Sequence, residues 1–458
     1  MAPELPLQGN EHIHLIGIGG AGLSAIAGVL LGRGHPVSGS DLRDSAILRD
    51  LERRGAAVYT GHNPARIAAA EIIVASSAVP PTDPELRAAR KLGRPVLHRG
   101  QMLRLLTADR QCLAIAGTHG KTTTSAMLTL LLRAADRDPS FIIGGEVPAL
   151  GDSGYAGQGA HFVLEADEYD RTFLALRPTL AIVTNVDWDH VDCYPDPAAG
   201  HAAFADFLAL VPPDGAVLLC RDDPGAWSLP RPAASTWGYG LDPAATWQAV
   251  DMVTTPTETT FTVMREKQAM GSFQLRVPGE HNVRNALAAL AAAAWTGVDI
   301  EAAGPALATF EGVQRRFTIL GTAGAITFVD DYAHHPSEIL ATLAAARQRF
   351  PDRRLVAVLQ PHTYSRTRAL GTEMARALAT ADLVLVTGIY AAREPDPGDL
   401  SGAQVAAAVD RPAGYAPTLG EAFAWLQEYV QPGDVVLTLG AGDITTLGPQ
   451  LLAAREAK

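Results

Sequence analysis

The chain has 458 residues, a formal net charge of −12 and no basic block. Its length predicts two or three domains with full cores, and its acidic balance argues against a nucleic-acid partner. Three widely spaced cysteines fit neither a disulfide framework nor a zinc site, and neither a signal-peptide pattern nor a membrane-length apolar run is visible. We therefore expect a soluble, cytoplasmic protein without membrane insertion.

Short aliphatic and β-branched runs alternate along the chain with alanine- and leucine-rich helical segments. This alternation is typical of α/β proteins with largely parallel sheets. We predict three domains: a Rossmann-like domain at residues 1–109, a central phosphate-loop ATPase-type domain at 110–312, and a second Rossmann-like domain at 313–458. The alternating segment 240–277 predicts extra antiparallel strands in the central domain, followed by a helix at 281–296.

A glycine loop, Gly17-Ile-Gly19-Gly20-Ala-Gly22, follows the first predicted strand at residues 12–16. Asp41 ends the next strand, as in the dinucleotide-binding fingerprint. The spacing alone is a weak signal in a glycine-rich chain, but its strand–turn–helix context predicts phosphate binding. The phosphate need not belong to NAD, because a nucleotide-sugar diphosphate presents the same chemistry.

A second glycine loop, Gly117-Thr-His-Gly-Lys121-Thr-Thr-Thr124, follows the apolar run at 112–116. It matches the phosphate-loop pattern in part, since Ile115 stands where that pattern begins with glycine. The chain has only four lysines against thirty-three arginines, so a lysine inside the loop indicates a specific need for a compact cation. The pattern predicts Lys121 on the phosphates of a nucleoside triphosphate and Thr122 on Mg²⁺; the alternative is a glycine helix cap.

Acidic and histidine side chains follow the next two predicted strands of the central domain. Glu165 comes directly after the strand at 161–164, where a Mg²⁺ ligand is expected, although a solvated acidic loop is the alternative. His190 follows the strand at 180–184. Imidazole is not a preferred ligand of Mg²⁺, so the residue type alone does not assign His190 to the metal.

The third domain repeats the arrangement of polar clusters after strands. Residues 330–336 follow a strand at 326–329, and residues 360–368 follow a strand at 355–359; further strands are predicted at 383–387 and 435–439. Open α/β sheets bind ligands at the carboxyl ends of their strands. Adjacent His334 and His335 lack further metal ligands at suitable spacing, so hydrogen bonding to a substrate is favoured. Arg316, at the domain boundary, can reach a γ-phosphate if the domains close.

These motifs, in this order along nearly the whole chain, resemble the Mur ligase family. The resemblance implies an ATP-dependent acid–amino-acid ligase of peptidoglycan synthesis that needs Mg²⁺ or Mn²⁺ and works as a monomer or homodimer. Its substrates are expected to be UDP-N-acetylmuramate and L-alanine, joined through an acyl phosphate at the lactyl carboxylate. Several family members hold a second Mg²⁺ with a carbamoylated lysine, but this chain has no lysine between Lys121 and Lys267.

The resemblance also implies roles for individual residues. ATP is expected to contact Gly117, Thr118, His119, Gly120, Lys121, Thr122, Thr123, His281, Asn282, Arg316 and Asp331. The metal is expected at Thr122, Glu165 and His190. The nucleotide sugar and amino acid are expected at Gly17, Gly19, Gly20, Gly22, Asp41, Ser76, Tyr332, His334, His362 and Arg366. The expected catalytic residues are Lys121, His190, Arg316, His334, His362 and Arg366.

Two other functions remain open from the sequence. One is a recycling ligase that attaches a murein tripeptide to the same nucleotide sugar, although its first glycine loop typically lacks the Gly19-Gly20 pair. The other is a non-catalytic sensor that uses ATP as a switch. The polar clusters of the third domain argue against a sensor, which does not need amino-acid-binding residues.

Overall fold

A computed structural model describes Leu7 and residues 9–456 of the chain. Three sheets follow one another along the sequence, with helices covering them. This is the α/β architecture predicted from the alternating runs. Residues 1–6, 8 and 457–458, at the ends of the two outer predicted domains, lie outside the described part. None of the helices within the described residues has the length and apolar character needed to cross a membrane.

The first sheet has five parallel strands in the order β3-β2-β1-β4-β5. Its strands are β1 (Ile13–Ile16), β2 (Val37–Asp41), β3 (Ala57–Thr60), β4 (Ile72–Ala75) and β5 (Val96–His98). Its helices are α1 (Ala21–Gly32), α2 (Ala46–Arg53), α3 (Pro84–Lys91) and α4 (Arg99–Thr107), with a 3₁₀ turn at Pro64–Ala69. The chain reverses direction across the sheet at β1, so the loop after β1 lies at a topological switch point.

The central sheet has ten strands in the order β15-β14-β13-β12-β11-β10-β6-β9-β7-β8. Its strands are β6 (Gln111–Ala116), β7 (Ser140–Ile142), β8 (Gly154–Tyr155), β9 (His161–Glu165), β10 (Leu180–Val183), β11 (Ala216–Cys220), β12 (Ser235–Gly240), β13 (Trp247–Thr254), β14 (Thr259–Arg265) and β15 (Gln268–Leu275). Its helices are α5 (Lys121–Ala134), α6 (Pro197–Leu208), α7 (Pro224–Trp227), α8 (Glu280–Trp295) and α9 (Ile300–Ala303), with 3₁₀ segments at Tyr169–Ala175 and Gly304–Thr309. The predicted antiparallel segment is present in β13, β14 and β15, and it continues the parallel sheet through β12.

The third sheet has six strands in the order β16-β17-β21-β18-β19-β20, and only the β16–β17 pair is antiparallel. Its strands are β16 (Thr318–Ala323), β17 (Ile326–Asp331), β18 (Leu355–Leu359), β19 (Leu383–Thr387), β20 (Ala413–Ala416) and β21 (Val435–Leu439). Its helices are α10 (Pro336–Arg349), α11 (Tyr364–Leu378), α12 (Gly402–Ala407), α13 (Leu419–Tyr429) and α14 (Leu447–Glu456), with a 3₁₀ turn at Asp443–Thr446.

Both faces of the third sheet are buried, which explains why its strands are almost entirely apolar. In β18, Leu355 and Ala357 pack into one apolar cluster, whereas Val356 and Val358 pack into the other. Helices α10 and α11 cover the first face, and α13 and α14 cover the second. With no polar face inside the sheet, the polar side chains collect where the strands end.

Candidate active site

The phosphate loop joins β6 to α5, as the glycine pattern predicts. Gly117 and Gly120 have φ angles of +130° and +82°, a left-handed region that favours glycine. A Cβ atom on Gly117 would lie 2.0 Å from Thr184 Oγ1. Because β10 packs so closely behind the loop, only glycine fits at this position.

The backbone of the loop is fixed by hydrogen bonds to the segment that follows β10. The His119 backbone N–H donates to Asn185 Oδ1 at 2.8 Å, and the Thr118 backbone N–H donates to the Asn185 carbonyl at 3.1 Å. Thr184 and Asn185 donate in turn to the His119 carbonyl. This bonding holds the N-terminus of α5 open toward a cavity, where it can face an anion.

Lys121, the lysine of the loop, is partly buried and paired with a carboxylate. Its Nζ atom lies 2.7 Å from Glu168 Oε2 and also donates to the carbonyls of Gly117 and Thr118. Burial lowers the pKa of Lys121, but the charges of Glu168 and Asp167 outweigh that effect and raise it. Lys121 is therefore protonated at neutral pH and lies inside the loop.

The predicted metal residues Thr122, Glu165 and His190 all line one large cavity. Glu165 Oε1 is buried and has no hydrogen-bond partner, and burial raises the pKa of this carboxyl group. A buried, unpaired carboxylate oxygen beside a threonine hydroxyl fits a hard divalent cation. His190 Nε2 faces Glu168 Oε1 at 3.3 Å. The donor set is therefore compatible with Mg²⁺, while the assignment of His190 to the metal stays a prediction.

A cavity of about 380 Å³ opens beside the phosphate loop, between the central and C-terminal sheets. The predicted nucleotide residues that line it are His119, Gly120, Thr122, Thr123, His281, Asn282, Arg316 and Asp331. His281 lies at the start of α8, and burial, together with the charges of Arg284 and Arg316, lowers its pKa to about 4. A neutral imidazole suits a site for an uncharged base.

Asp331 also faces this cavity and is held by backbone groups. It accepts from the Phe317 N–H at 2.8 Å and from the Ala333 N–H at 2.7 Å. Burial raises its pKa to about 6, against the attraction of Arg316. The carboxyl group thus has a fixed orientation in which it can hydrogen bond to a hydroxyl-bearing ligand.

A second cavity, of about 760 Å³, is lined by residues of all three predicted domains. The predicted residues on its walls are Gly22, Thr118, His119, Lys121, Thr122, Glu165, His190, Arg316, Tyr332, His334, His362 and Arg366. His119, Thr122 and Arg316 line both cavities. The structure therefore brings the predicted metal, phosphate and amino-acid residues to adjoining spaces.

Arg366 is held by a buried ion pair that crosses from the C-terminal to the central domain. Its Nη2 and Nε atoms lie 2.7 and 2.8 Å from Asp189 Oδ1, and both side chains are about 7% exposed. Arg366 Nη1 also lies 2.9 Å from His362 Nδ1. Because Arg366 can only donate, His362 must accept through Nδ1, which fixes its tautomer.

His334 and His362 form a neutral pair of imidazoles in the second cavity. Their ring centroids lie 5.5 Å apart, and the Tyr332 ring stands edge-on to His334. Burial lowers the pKa of His334 to about 4. Burial, with the nearby His334 and Arg366, lowers that of His362 to about 3. Both rings are thus uncharged at neutral pH: His334 donates through Nδ1 to the Tyr332 carbonyl and can accept through Nε2, whereas His362 can donate through Nε2.

The first glycine loop forms its own cluster after β1. The Gly19 N–H donates to Asp41 Oδ2 at 3.0 Å, and the Gly20 N–H donates to the Gly17 carbonyl at 3.1 Å. A Cβ atom on Gly17 would lie 3.2 Å from Ser76 Cβ. Gly22 alone among these predicted residues lines the large cavity. The cluster thus lies behind that cavity, at the switch point of the first sheet.

Several polar side chains at the site were not assigned a role from the sequence. They are Arg99, Glu168, Asp187, Asp189, Asn285 and Glu338. Asn285 lies one helical turn after Asn282 and contacts Thr124, so helical spacing could have revealed it. Arg99 pairs with Asp167 across two domains, and the sequence carries no signal for that contact.

The fold and site together define a three-domain, phosphate-loop protein with a cleft between its domains. Three sequence models match successive parts of it: the "Mur ligase family, catalytic domain" at residues 12–111, the "Mur ligase middle domain" at 115–293, and the "Mur ligase, glutamate ligase domain" at 315–442. The chain belongs to the Mur ligase family.

Several relatives match over nearly their whole length. A UDP-N-acetylmuramate–L-alanine ligase of Roseiflexus sp. (strain RS-1) is 46% identical over 96% of this chain and 98% of its own, and one of Chloroflexus aggregans is 46% identical over 97% and 98%. The crystal structure of UDP-N-acetylmuramate-alanine ligase from Thermotoga maritima superposes with a TM-score of 0.81, at 27% identity over 98% of this chain and 99% of its own. A murein peptide ligase of Psychrobacter arcticus superposes with a TM-score of 0.71, at 26% identity over 97% and 98%.

Proposed function

We propose that this chain is the ligase that joins L-alanine to the lactyl carboxylate of UDP-N-acetylmuramate, with conversion of ATP to ADP and phosphate, in the synthesis of peptidoglycan precursors. One observation carries the proposal: the phosphate loop, an unpaired buried carboxylate and the histidine pair face adjoining cavities between the domains. The names of the relatives supply the substrates. We further propose domain boundaries near residues 109 and 312.

The first step is transfer of the γ-phosphoryl group of ATP to the substrate carboxylate. A carboxylate oxygen attacks the γ-phosphorus, the bond to the β–γ bridging oxygen breaks, and ADP leaves with an acyl phosphate remaining. Both reactants are anions, so cations must stabilise the charge that spreads over the transferred group. Lys121, in the loop, and Arg316, which lines both cavities, would do so. Mg²⁺ bound at Thr122 and Glu165 would supply further positive charge.

The second step forms the amide bond. The amine nitrogen of L-alanine attacks the acyl carbon, a tetrahedral intermediate forms, and phosphate leaves as the carbon–oxygen bond to it breaks, taking up the proton that the nitrogen loses. Arg366 would bind the carboxylate of the amino acid through Nη1, because Asp189 already holds the Nε and Nη2 edge of the guanidinium. The neutral His334 would accept a hydrogen bond from the amine through Nε2, whereas His362, whose Nδ1 already accepts from Arg366, would donate through Nε2 to a substrate oxygen. The shared cleft would keep water from the acyl phosphate.

The test is release of phosphate from ATP by the purified chain with Mg²⁺ and UDP-N-acetylmuramate, with and without L-alanine. We expect release to need both substrates and the product to be heavier by one alanyl residue in mass spectrometry. Release only when a murein tripeptide replaces L-alanine would assign the recycling reaction. Release without any amine would indicate an ATP-driven switch.

A further inference from the structure

Arg316 is linked to the phosphate loop through a residue to which the sequence analysis gave no role, Glu338. Glu338, in the first turn of α10, accepts from Arg316 Nη1 at 2.8 Å through Oε1. The same oxygen lies 3.3 Å from His119 Nδ1, in the phosphate loop. The other oxygen accepts from the His334 backbone N–H at 3.1 Å. One buried carboxylate therefore joins the loop, the arginine and the C-terminal domain.

His119 contacts both domains with its two ring nitrogens. Its Nδ1 atom faces Glu338, whereas its Nε2 atom lies 3.3 Å from Asp187 Oδ2 and 3.2 Å from His335 Nδ1. Asp187 also accepts from the Ser337 hydroxyl at 2.8 Å. The backbone N–H and carbonyl of His119 are hydrogen bonded to Asn185. Its ring makes the contacts with Glu338 and His335 of the C-terminal domain.

Opposite charges alternate at this contact. Glu338 is 8% exposed and pairs with Arg316. Burial lowers the pKa of His119, but the charges of Glu338 and Asp187 outweigh this effect and raise the pKa to about 9. Two cations and two anions thus alternate across the domain boundary. Loss of the Glu338 charge would leave Arg316 and the His119 imidazolium close together with one fewer anion, which costs more in a buried site than at the surface.

We propose that His119 and Glu338 are positioning residues that dock the C-terminal domain onto the phosphate loop and hold Arg316 where phosphoryl transfer needs it. The inference rests on the proposed function for its kinetic part and on the contacts alone for its docking part. A misplacement of about 1 Å in a positioning group can cost on the order of a hundredfold in rate. Glu338→Gln keeps the size of the side chain and removes its charge.

The kinetic test uses the full chain and the variants Glu338→Gln, His119→Gln and the double variant. We expect Glu338→Gln to lower kcat by about a hundredfold with a much smaller change in the KM for ATP. The double variant should lose little more activity than Glu338→Gln alone, because both substitutions break the same contact, that between His119 and Glu338. Losses that multiply in the double variant, or a wild-type kcat in Glu338→Gln, would overturn the proposal.

The control is Asp382→Asn, which removes the carboxylate of the Arg347–Asp382 ion pair. Asp382 directly precedes β19, at the opposite end of that strand from the site. Circular dichroism and thermal unfolding of every variant check that it is folded.

The docking test is small-angle X-ray scattering with and without a non-hydrolysable ATP analogue and Mg²⁺. With the analogue bound, we expect the wild type and Asp382→Asn to have a smaller radius of gyration than Glu338→Gln, which still binds the analogue in calorimetry. Equal compaction of Glu338→Gln would refute the docking role. This assay needs no product, so a wild type that docks but makes no product contradicts the proposed function and not the docking.

Discussion

Lys121 of the phosphate loop and Glu168, which follows β9, form a partly buried ion pair with Nζ 2.7 Å from Oε2. Glu168 lies only three residues after Glu165, whose Oε1 atom has no partner. The two carboxylates therefore differ: one holds the lysine and the other is free to bind a cation. An incoming triphosphate therefore has to compete with Glu168 for Lys121.

Lys121→Met should lower kcat for phosphate release by about 10² to 10³, because one preorganised cation is lost from the transferring group. Lys267→Met is the matched control, since Lys267 lies in the turn between β14 and β15, far along the sheet from the loop. Steady-state phosphate release with both substrates measures the effect. A variant within about tenfold of the wild type would contradict the role of Lys121.

Glu165→Gln should separate stability from metal binding. Without ligands, we expect the variant to unfold at the same temperature as the wild type or higher, because burial raises the pKa of Glu165 and its Oε1 atom has no hydrogen-bond partner. With Mg²⁺ and ATP, the wild type should gain more thermal stability, since a ligand that binds only the folded state stabilises it.

Differential scanning fluorimetry with and without Mg²⁺–ATP measures both effects of Glu165→Gln, and the exposed Glu52→Gln is the control. Equal stabilisation of Glu165→Gln and the wild type by Mg²⁺–ATP would remove Glu165 from the metal site.

His362→Asn should raise the KM for L-alanine more than the KM for ATP, because His362 faces Arg366 and not the phosphate loop. The lowered pKa values of His334 and His362, about 4 and about 3, mean that both rings stay neutral from pH 6 to 8. NMR titration of the wild type should therefore show no shift of their ring signals in that range.

The NMR signals of these two histidines can be assigned by their loss in His334→Asn and His362→Asn. His201→Asn, in which the ring beside Ser228 is removed, is the control for activity. A signal of either ring that titrates near pH 7 would contradict the proposed neutral pair.

Glu85→Gln should destabilise the first domain through a buried network. Glu85 accepts from His14, Ser40, His62 and the Asn63 backbone. Burial raises its pKa, but these bonds outweigh that and lower it to about 2, which corresponds to about 3 kcal/mol of stability at neutral pH.

The pH dependence of this effect follows from the sign of the shift. Because the folded-state pKa lies below the unfolded value, the stability from Glu85 is complete above about pH 5 and is lost as the pH falls toward 2. Urea unfolding of the wild type and Glu85→Gln between pH 3 and 7 measures it, with Asp44→Asn, from an exposed ion pair, as control. A difference between the proteins that stays constant down to pH 3 would contradict the assignment.

Much of the fold could be predicted because its signals are local. The strands β1, β6, β9, β10 and β18 were predicted within about two residues, since buried parallel strands appear as short apolar runs. Edge strands such as β3, β5, β8 and β20 were not predicted, because they are short, partly polar and stabilised by pairing with a neighbour. The three-domain α/β architecture is confirmed, while the boundaries at 109 and 312 stay predictions.

The sequence by itself determined the residue types after each strand: the glycines and lysine of the phosphate loop, the carboxylates after β9, and the histidines after β17. Strand–turn–helix units position such residues by local geometry, so their order in the chain is enough to recognise them. Only the tertiary structure decided which charges meet, such as Arg366 with Asp189 and Arg316 with Glu338. These partners come from different helices and loops: packing of the C-terminal against the central domain brings Arg366 to Asp189, and folding within the C-terminal domain brings Arg316 to Glu338.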